Sequence, residues 1–278
     1  MLKKLKDFLR AEIDPAFAKR AAIIFQCIEK YKPKRILDAG CGRGFYLYGI
    51  NSYKFVKEIH GIDINEKYLK IAKNINQDKR VKIKKSNIYK LPYENNFFDL
   101  IICSEVLEHL KDDKKALKEL NRVLKPDGKL IITVPNLNFP FFWDPLNWFL
   151  MHFFNKHINK NVWWLAGIWA DHERLYNKND LKKIIKQTGF KIIKVKEIIH
   201  WCWPFSHFIL YGIGKNLVEK INLNQFNRFN FKTNKILSKI VAYFFRLPSK
   251  IFDKKIKLST AVNLLVLTVK NKKFNKLN

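Results

Sequence analysis

The 278-residue sequence predicts an α/β fold with a doubly wound, mostly parallel sheet of seven strands. Two observations predict it. Short apolar runs alternate with helical patterns between residues 35 and 134, as in sheets that are covered by helices on both faces. A glycine-rich turn, "DAGCGRG", follows the first of these runs and precedes a helical pattern, an arrangement that binds ligands at the edge of a parallel sheet.

Five strands are predicted before residue 136 and two after it. Their apolar runs cover residues 35–39, 58–63, 81–85, 98–103, 129–134, 191–199 and 261–269. The last run is continuously apolar, which predicts a buried strand. Asp14 and Pro15 predict the start of a helix, and Gly189 predicts the end of another. The segment "KPDG" at residues 125–128 predicts a turn into the fifth strand.

Two aromatic-rich helical insertions interrupt this pattern, one after the fifth strand and one between the last two strands. All seven tryptophans lie between Trp143 and Trp203. The predicted organisation is N-terminal helices at 1–34, a ligand-binding core at 35–136, an aromatic insertion or cap at 137–175, a helix and strand completing the core at 176–200, a basic and aromatic helical insertion at 201–257, and the last strand with a basic tail at 258–278.

The composition limits the possible partners. The formal net charge is +30, but only nine of the 54 basic residues are arginine, the residue whose planar fork suits phosphates and bases. Nucleic acid is therefore a less favoured partner than the charge alone indicates. Four scattered cysteines show no metal-ligand spacing, which predicts a reducing, cytoplasmic environment, and no secretory signal is expected.

The residues around the glycine turn predict the class of ligand. Phe45 occupies the place of the third glycine in the dinucleotide-binding pattern, so this turn follows a different spacing. Asp38 lies two residues before the first glycine, where a carboxylate can face an ammonium group. Asp63 ends the next strand, where a carboxylate can accept hydrogen bonds from both hydroxyls of a ribose. Together these residues predict a nucleoside with a zwitterionic tail.

Four motifs in order between residues 35 and 136 resemble the class I S-adenosylmethionine-dependent methyltransferases. They are "ILDAGCGRG", "GIDINEKYLKIA", "SNIYKLPYENNFFDLIICSEVLEHL" and "LKELNRVLKPDGKLIITVPN". The resemblance is to type 11-like methyltransferases and, in the core, to ubiquinone-type O-methyltransferases. It implies a Rossmann-like core, methyl transfer as the activity and S-adenosyl-L-methionine as the cofactor.

The resemblance also implies which residues contact the cofactor. Asp38, Gly40 and Gly42 would hold its methionine part, and Asp63 would hold its ribose. The remaining contacts that it implies are Cys41 and Gly44 in the turn, Ile64 against the adenine, Asn87 and Ile88 at the adenine edge, and Ser104 and Glu105 beside the sulfonium. The alternative interpretation is structural: glycines of a tight turn and ordinary acids at strand ends.

Catalytic candidates are His109 and His172, which would act as a base where the acceptor must lose a proton. The spacing of Glu105, Glu108 and His109 predicts that they share one helical face. Such a cluster can hold a metal in the ubiquinone-type relatives, but we expect no metal here and a wall position for His109. His172 and Arg174 form the predicted acceptor-side segment, with a packed helix-entry loop as the alternative.

The acceptor is expected to be a small molecule, a glycan or a lipid-linked molecule, methylated at oxygen. Two rival functions remain open: an RNA methyltransferase that uses its lysine-rich C-terminal region, and a catalytically silent scaffold. The tryptophan-rich insertions, flanked by lysines, predict either a cap over the site or peripheral contact with an anionic membrane on its cytoplasmic face.

Overall fold

The computed structural model describes residues 1–162, 165–214, 228–229, 236–253 and 259–271. Its strands are β1 (Arg35–Ala39), β2 (Glu58–Asp63), β3 (Val81–Lys85), β4 (Phe98–Ser104), β5 (Leu124–Pro135), β6 (Phe190–Ile198) and β7 (Asn263–Lys270). They form one seven-stranded sheet in the order β3-β2-β1-β4-β5-β7-β6. Only β7 runs antiparallel to its neighbours among these strands, which confirms the predicted doubly wound, mostly parallel fold.

The helices connect and cover these strands. They are α1 (Lys3–Arg10), α2 (Pro15–Tyr31), α3 (Phe45–Asn51), α4 (Glu66–Ile75), α5 (Asp113–Val123), α6 (Pro145–Phe154), α7 (Lys178–Gln187) and α8 (Ile236–Phe252). Single 3₁₀ turns lie at Leu107–His109 and Gly167–Trp169, and a short π-helical segment lies at Phe208–Gly214. None of the helices in the described ranges is both long and apolar enough to cross a bilayer.

Helix α2 begins where the sequence predicts. The side chain of Asp14 accepts hydrogen bonds from the backbone amides of Ala16 at 2.8 Å and Phe17 at 3.1 Å, which satisfies two N–H groups that have no partner inside the helix. Pro15 occupies the first helical position, where its missing N–H costs nothing. The second oxygen of Asp14 accepts a hydrogen bond from the hydroxyl of Tyr211, which ties the second insertion to this helix start.

Both faces of the sheet are buried. Successive side chains along a strand point to opposite faces, so neighbouring residues pack into different cores. Ile36 packs into the core that contains Phe25 of α2, while its neighbour Leu37 packs into the core that contains Leu117 of α5. The first six residues of β7 are buried, as the apolar run at 261–269 predicts. The sheet thereby holds its loop-bearing edge rigidly in place.

The predicted turn at residues 125–128 is wrong in one respect, because these residues belong to β5 rather than preceding it. The pairing with β4 jumps from Phe98 opposite Leu124 to Leu100 opposite Lys129, so the segment bulges out of the strand. Asp127 has a φ of 62°, a left-handed conformation that permits such a bulge. The Pro and Gly signals mark the irregularity but not its place within a strand.

We predict that Asp14→Ala lowers the free energy of unfolding by about 1–2 kcal/mol, because two amides at the start of α2 lose their acceptor. The melting temperature should fall by about 2–6 °C in a thermal unfolding experiment. Asp14→Asn is the matched control, since its carbonyl oxygen can keep the cap. Equal loss in both variants would contradict the capping role.

Candidate functional site

The glycine turn lies between β1 and α3, and its backbone is bonded to the neighbouring strand. The amides of Gly40 and Cys41 both donate to the carbonyl of Ile62, each at 2.8 Å. Gly40 and Gly42 have φ values of 81° and 50°, which side chains rarely adopt. A Cβ at Gly40 would overlap Val106, whereas a Cβ at Gly42 would enter open space. The turn therefore packs against Val106 at Gly40 and borders open space at Gly42.

Gly44 has a different reason to lack a side chain. It precedes α3 with a φ of 84°, and a Cβ there would lie 2.7 Å from the side-chain nitrogen of Asn76 and 2.9 Å from Ala72 in α4. Gly44 therefore allows two helices to approach closely, which is a packing role. The structure leaves its predicted cofactor contact as a prediction.

Asp38 is the most unusual group at this edge of the sheet. Its side chain is 1% exposed, and its Oδ2 atom has no hydrogen-bond partner among the described residues. Burial, and then the nearby carboxylate of Asp63, raise the pKa of Asp38 to about 8. A buried polar atom without a partner is costly, and the cationic ligand group that the sequence predicts here would offset this cost.

Asp63 is fixed by the backbone at the end of β2. One carboxylate oxygen accepts a hydrogen bond from the amide of Gly42 at 2.9 Å, and the other accepts from the amide of Asn65 at 2.8 Å. The side chain therefore lies against the glycine turn, as the sequence predicts. Its neighbour Ile64 is 69% exposed, which leaves a large apolar side chain free to cover a ligand.

Asn87 and Ile88 follow β3 on the same side. The amide of Ser86 donates to the backbone carbonyl of Asp63 at 3.1 Å, which joins this loop to the end of β2. Asn87 is exposed, and its side-chain oxygen accepts a hydrogen bond from the amide of Tyr89 at 3.0 Å, while Ile88 is buried. The carboxyl ends of β1, β2 and β3 thus present their predicted residues together.

Ser104 and Glu105 belong to a polar network at the end of β4. The Ser104 hydroxyl lies 2.8 Å from that of Thr133, whose hydroxyl donates to Glu105 at 2.8 Å. Asn263 of β7 donates to the second oxygen of Glu105 at 2.9 Å and accepts from Arg20 of α2 at 3.0 Å. The network connects the sheet edge to the N-terminal helices.

A cavity of about 540 Å³ lies above this edge. Its floor contains the glycine turn and the ends of β4 and β5, and the two aromatic insertions form its walls. The lining includes Gly40, Cys41, Gly42, Tyr46, Ser104, Glu105, His109, Trp143, His172, His207, Tyr211 and Asn263. Both insertions therefore contribute to the cap that the sequence predicts.

His109 and His172 meet in this cavity, with ring centres 4.8 Å apart. The Nδ1 atom of His172 lies 2.6 Å from the carbonyl of Ile168, and that of His109 lies 2.8 Å from the carbonyl of Asp171. Because a carbonyl only accepts, each Nδ1 carries the hydrogen, and each Nε2 keeps a lone pair in the neutral form. Burial, and then the neighbouring His109, lower the pKa of His172 to about 4.

The predicted shared helical face of Glu105, Glu108 and His109 is wrong. Glu105 has a φ of 55°, which turns the chain out of β4, and only a single 3₁₀ turn follows at Leu107–His109. Glu105 instead joins the network with Asn263. Glu108, His109 and His172 bring three possible metal-ligand atoms within 4.8 Å of one another, so the expectation of no metal stays a prediction.

Glu108 is fully buried, and neither of its carboxylate oxygens has a hydrogen-bond partner among the described residues. Burial and then Glu105 raise the pKa of Glu108 well above its usual value. Its backbone carbonyl accepts from the amide of Glu173 at 2.8 Å. This bond connects the segment after β4 to the segment that contains His172.

Several predicted site residues are not among those that line the cavity, namely Asp38, Gly44, Asp63, Ile64, Asn87, Ile88 and Arg174. The guanidinium of Arg174 pairs with Asp113 at 3.0 Å and donates to the carbonyl of Lys111 at 2.9 Å. These contacts fix the start of α5, and the predicted acceptor contact of Arg174 stays a prediction.

Sequence reasoning missed several residues of the site, namely Arg20, Tyr46, His207, Tyr211 and Asn263. Arg20 and Asn263 are 243 residues apart in the chain, so no local pattern could pair them. One signal was present: arginines are scarce in this lysine-rich sequence. Arg20 is 6% exposed, as a residue retained for a specific bond would be.

The chain is similar to known methyltransferases over its core. Residues 37–132 match a family described as "Methyltransferase domain". An uncharacterized protein of Methanocaldococcus jannaschii is 36% identical over 125 residues, which cover 44% of this chain and 50% of that protein. The ubiquinone biosynthesis O-methyltransferase of Coxiella burnetii is 32% identical over 110 residues, covering 39% of this chain and 46% of that enzyme. The matches thus span about half the length of these relatives.

The fold also resembles a solved structure over most of its length. The YcgJ protein of Bacillus subtilis superposes with a TM-score of 0.55 and 18% sequence identity, covering 91% of this chain and 99% of that one. At this identity the superposition shows a common fold alone.

The buried acid gives a testable prediction for the protein without ligand. The pKa of Asp38 is raised to about 8 in the folded protein and is about 4 in the unfolded chain. Between these pH values Asp38 is therefore protonated in the folded protein and ionised in the unfolded chain. Stability from this group therefore falls as pH rises from about 4 to 8. Relative to Asp38→Asn, the wild type should lose about 2–4 kcal/mol of unfolding free energy between pH 5 and 8.

Denaturant unfolding at several pH values measures this difference. The control is Asp127→Asn, which removes one exposed negative charge at a residue whose left-handed backbone Asn tolerates. Parallel pH profiles for wild type and Asp38→Asn would contradict a raised pKa at Asp38.

Proposed function

We propose that this chain, which belongs to the class I S-adenosylmethionine-dependent methyltransferases through its core, transfers a methyl group to an oxygen atom of a small-molecule, glycan or lipid-linked acceptor. The observation that carries the proposal is the buried carboxylate of Asp38, whose Oδ2 atom has no partner among the described residues and which lies beneath a turn whose Gly42 borders open space. This is the point where the methyltransferase fold would hold its cofactor.

The residues at the sheet edge fit S-adenosyl-L-methionine. Asp38 and the backbone of Gly40 and Gly42 would hold its methionine part, and Asp63 its ribose hydroxyls. Ile64 would cover the adenine. When bound, this cofactor supplies a sulfonium methyl group, which is already a good electrophile. The protein then needs mainly to orient the acceptor and exclude water.

The cavity walls support these two tasks. Rings from both insertions surround the space above Ser104 and Glu105, so an acceptor would sit largely removed from water. The Arg20, Asn263 and Glu105 network holds the end of β4 in one position. A fixed floor and an apolar cap are what a transfer by positioning requires.

We propose that His172 is the base that removes the proton of the acceptor. A hydroxyl acceptor must lose a proton as it gains the methyl group, and a neutral imidazole can take it. The Nδ1–H of His172 is held by the carbonyl of Ile168, which leaves Nε2 as the basic atom. His109, its ring neighbour, is held in the same way by Asp171 and forms part of the wall.

A cytoplasmic location is part of the proposal. All four cysteines are free in the structure, which is usual where thiols are kept reduced. Contact with the membrane surface is argued separately below.

The proposal is tested by incubating the purified chain with methyl-labelled S-adenosyl-L-methionine and an extract of the organism that produces it. We expect label in the lipid or soluble metabolite fraction. Label only in RNA would favour the rival RNA methyltransferase. Cofactor binding without any labelled product would favour the silent scaffold.

Once an acceptor is found, we predict that His172→Gln lowers kcat by about 10²–10⁴-fold while leaving the Kd of the cofactor nearly unchanged, because the variant cannot take up a proton. His200→Gln is the matched control, since His200 also binds a backbone carbonyl but lies outside the cavity. A fall in cofactor affinity equal to the fall in kcat would contradict the assignment.

The pH profile of the same reaction has a predicted sign. Protonation removes the base, and the pKa of His172 is about 4, so this group should leave the rate unchanged from pH 8 to about 5 and reduce it below that. The reaction should also persist in a chelator. Loss of activity in chelator that a divalent cation restores would favour a metal at Glu108, His109 and His172 instead.

A further inference from the structure

Helix α8 carries its large apolar side chains on the outside. The side that it buries consists mostly of small or polar residues, namely Ser238, Ala242, Phe245, Pro248 and Ser249. Its exposed apolar residues are Ile236, Leu237, Ile240, Tyr243, Phe244, Ile251 and Phe252. This reverses the usual arrangement of a surface helix, whose apolar side faces the core. The outer side is therefore suited to an apolar environment beyond the protein.

Helix α6 in the other insertion has the same inverted arrangement. It buries Pro145 and Asn147, and Asn147 is held by the carboxylate of Asp144 and the carbonyl of Ala166. Its exposed apolar residues are Leu146, Phe149, Phe153 and Phe154. Two helices that are far apart in the chain thus share the same arrangement, with phenylalanines on the exposed side.

Aromatic contacts join the two helices into one surface. The ring centres of Trp148 in α6 and Phe141 are 5.1 Å apart, and those of the adjacent Phe142 and Trp201 are 6.4 Å apart. Trp201 in turn contacts Phe252 of α8 at 5.3 Å. We call the exposed side chains of α6, α8 and these connecting rings the outer aromatic face.

Exposed apolar side chains are concentrated on the two insertions. In the described part of the chain, the large exposed apolar residues outside them are Leu2, Ile64, Ile71 and Ile193. Contiguous apolar surface of this kind marks a binding surface rather than ordinary scatter.

Positive charge borders the outer aromatic face. Lys239 and Lys250 are exposed on α8, and the Lys250 ammonium lies 4.2 Å from the ring centre of Tyr243. A groove of about 550 Å³ lies between α8 and the N-terminal helices, and its charged lining is Lys6, Arg10, Lys19, Arg246, Lys250 and Asp253. Lys19 is paired with Asp253 and Arg10 with Asp7, each at 3.3 Å, and the lining keeps an excess of positive charge.

We propose that the outer aromatic face and the basic groove dock the protein on an anionic lipid bilayer. Aromatic rings and aliphatic chains enter the interface between headgroups and acyl chains, while ammonium and guanidinium groups meet anionic headgroups. A second copy of the chain fits less well, because two chains of net charge +30 repel each other. A bound nucleic acid would contact the positively charged side chains but would leave the exposed apolar side chains in water.

The two insertions that carry the outer aromatic face also line the cavity. Trp143 and Phe208 line the cavity and belong to the two insertions that carry the outer aromatic face. A lipid-phase acceptor could thus enter from the bilayer, an extension that rests on the proposed function. Docking itself requires neither cofactor nor acceptor.

Vesicle flotation of the purified full chain tests the proposal. The probes are phosphatidylcholine vesicles and vesicles with about 30% phosphatidylglycerol, at low and high salt. We expect the wild type to float with the anionic vesicles at low salt. Phe153→Ser with Ile240→Ser should lower the partition coefficient about tenfold or more, since these side chains are 67% and 62% exposed and the substitutions change no charge.

Ile71→Ser with Ile193→Ser is the matched control, because it removes two exposed isoleucines elsewhere and should float as the wild type does. Thermal unfolding checks that both double variants are folded. The proposal is overturned if the wild type floats with neither vesicle, if the Phe153 and Ile240 variant floats equally well, or if light scattering shows a wild-type dimer that this variant dissociates. None of these results bears on cofactor binding, so the proposed function is tested separately.

Discussion

The buried carboxylate of Asp38, whose Oδ2 atom has no hydrogen-bond partner among the described residues, is the central constraint of the proposed site. Asp38 lies within β1, between β2 and β4, so the sheet fixes its position and water cannot reach it freely. The glycine turn that follows leaves open space above Gly42. The fold therefore carries the cost of desolvating an acid at one place, and a cationic group of a ligand would offset that cost. The ends of β2, β3 and β4 surround the same place.

The parts of the fold that depend on local patterns could be predicted from the sequence. Apolar runs located all seven strands, and the cap at Asp14 located the start of α2. These features follow from backbone geometry and from periods of a few residues. The prediction of a turn before β5 at residues 125–128 was wrong, because a segment with Pro and Gly has the same sequence pattern in a turn and in a bulge.

The site itself could be predicted only where it follows a strand end. The placement of Asp38 and Asp63 at one edge of the sheet could be predicted because parallel strands bring their carboxyl ends together, and their contacts with a ligand stay predictions. Arg20 and Asn263 were not found, because their contact depends on how α2 packs against the end of β7. The prediction that Glu105 and His109 share a helical face was wrong, because the left-handed backbone of Glu105 interrupts the helix that the spacing implies. The outward orientation of the apolar sides of α6 and α8 could not be predicted either, since an amphipathic pattern does not state which side faces the core.

The most direct test of the account is calorimetric titration of the full chain with S-adenosylhomocysteine, the demethylated form of the cofactor, at pH 7 in two buffers of different ionisation enthalpy. The account predicts one-to-one binding with a Kd at or below about 100 μM. It also predicts release of up to one proton, because the pKa of Asp38 is about 8 and it must ionise to face the ammonium group. Absence of binding at about 1 mM ligand, or binding with no proton released, would contradict it.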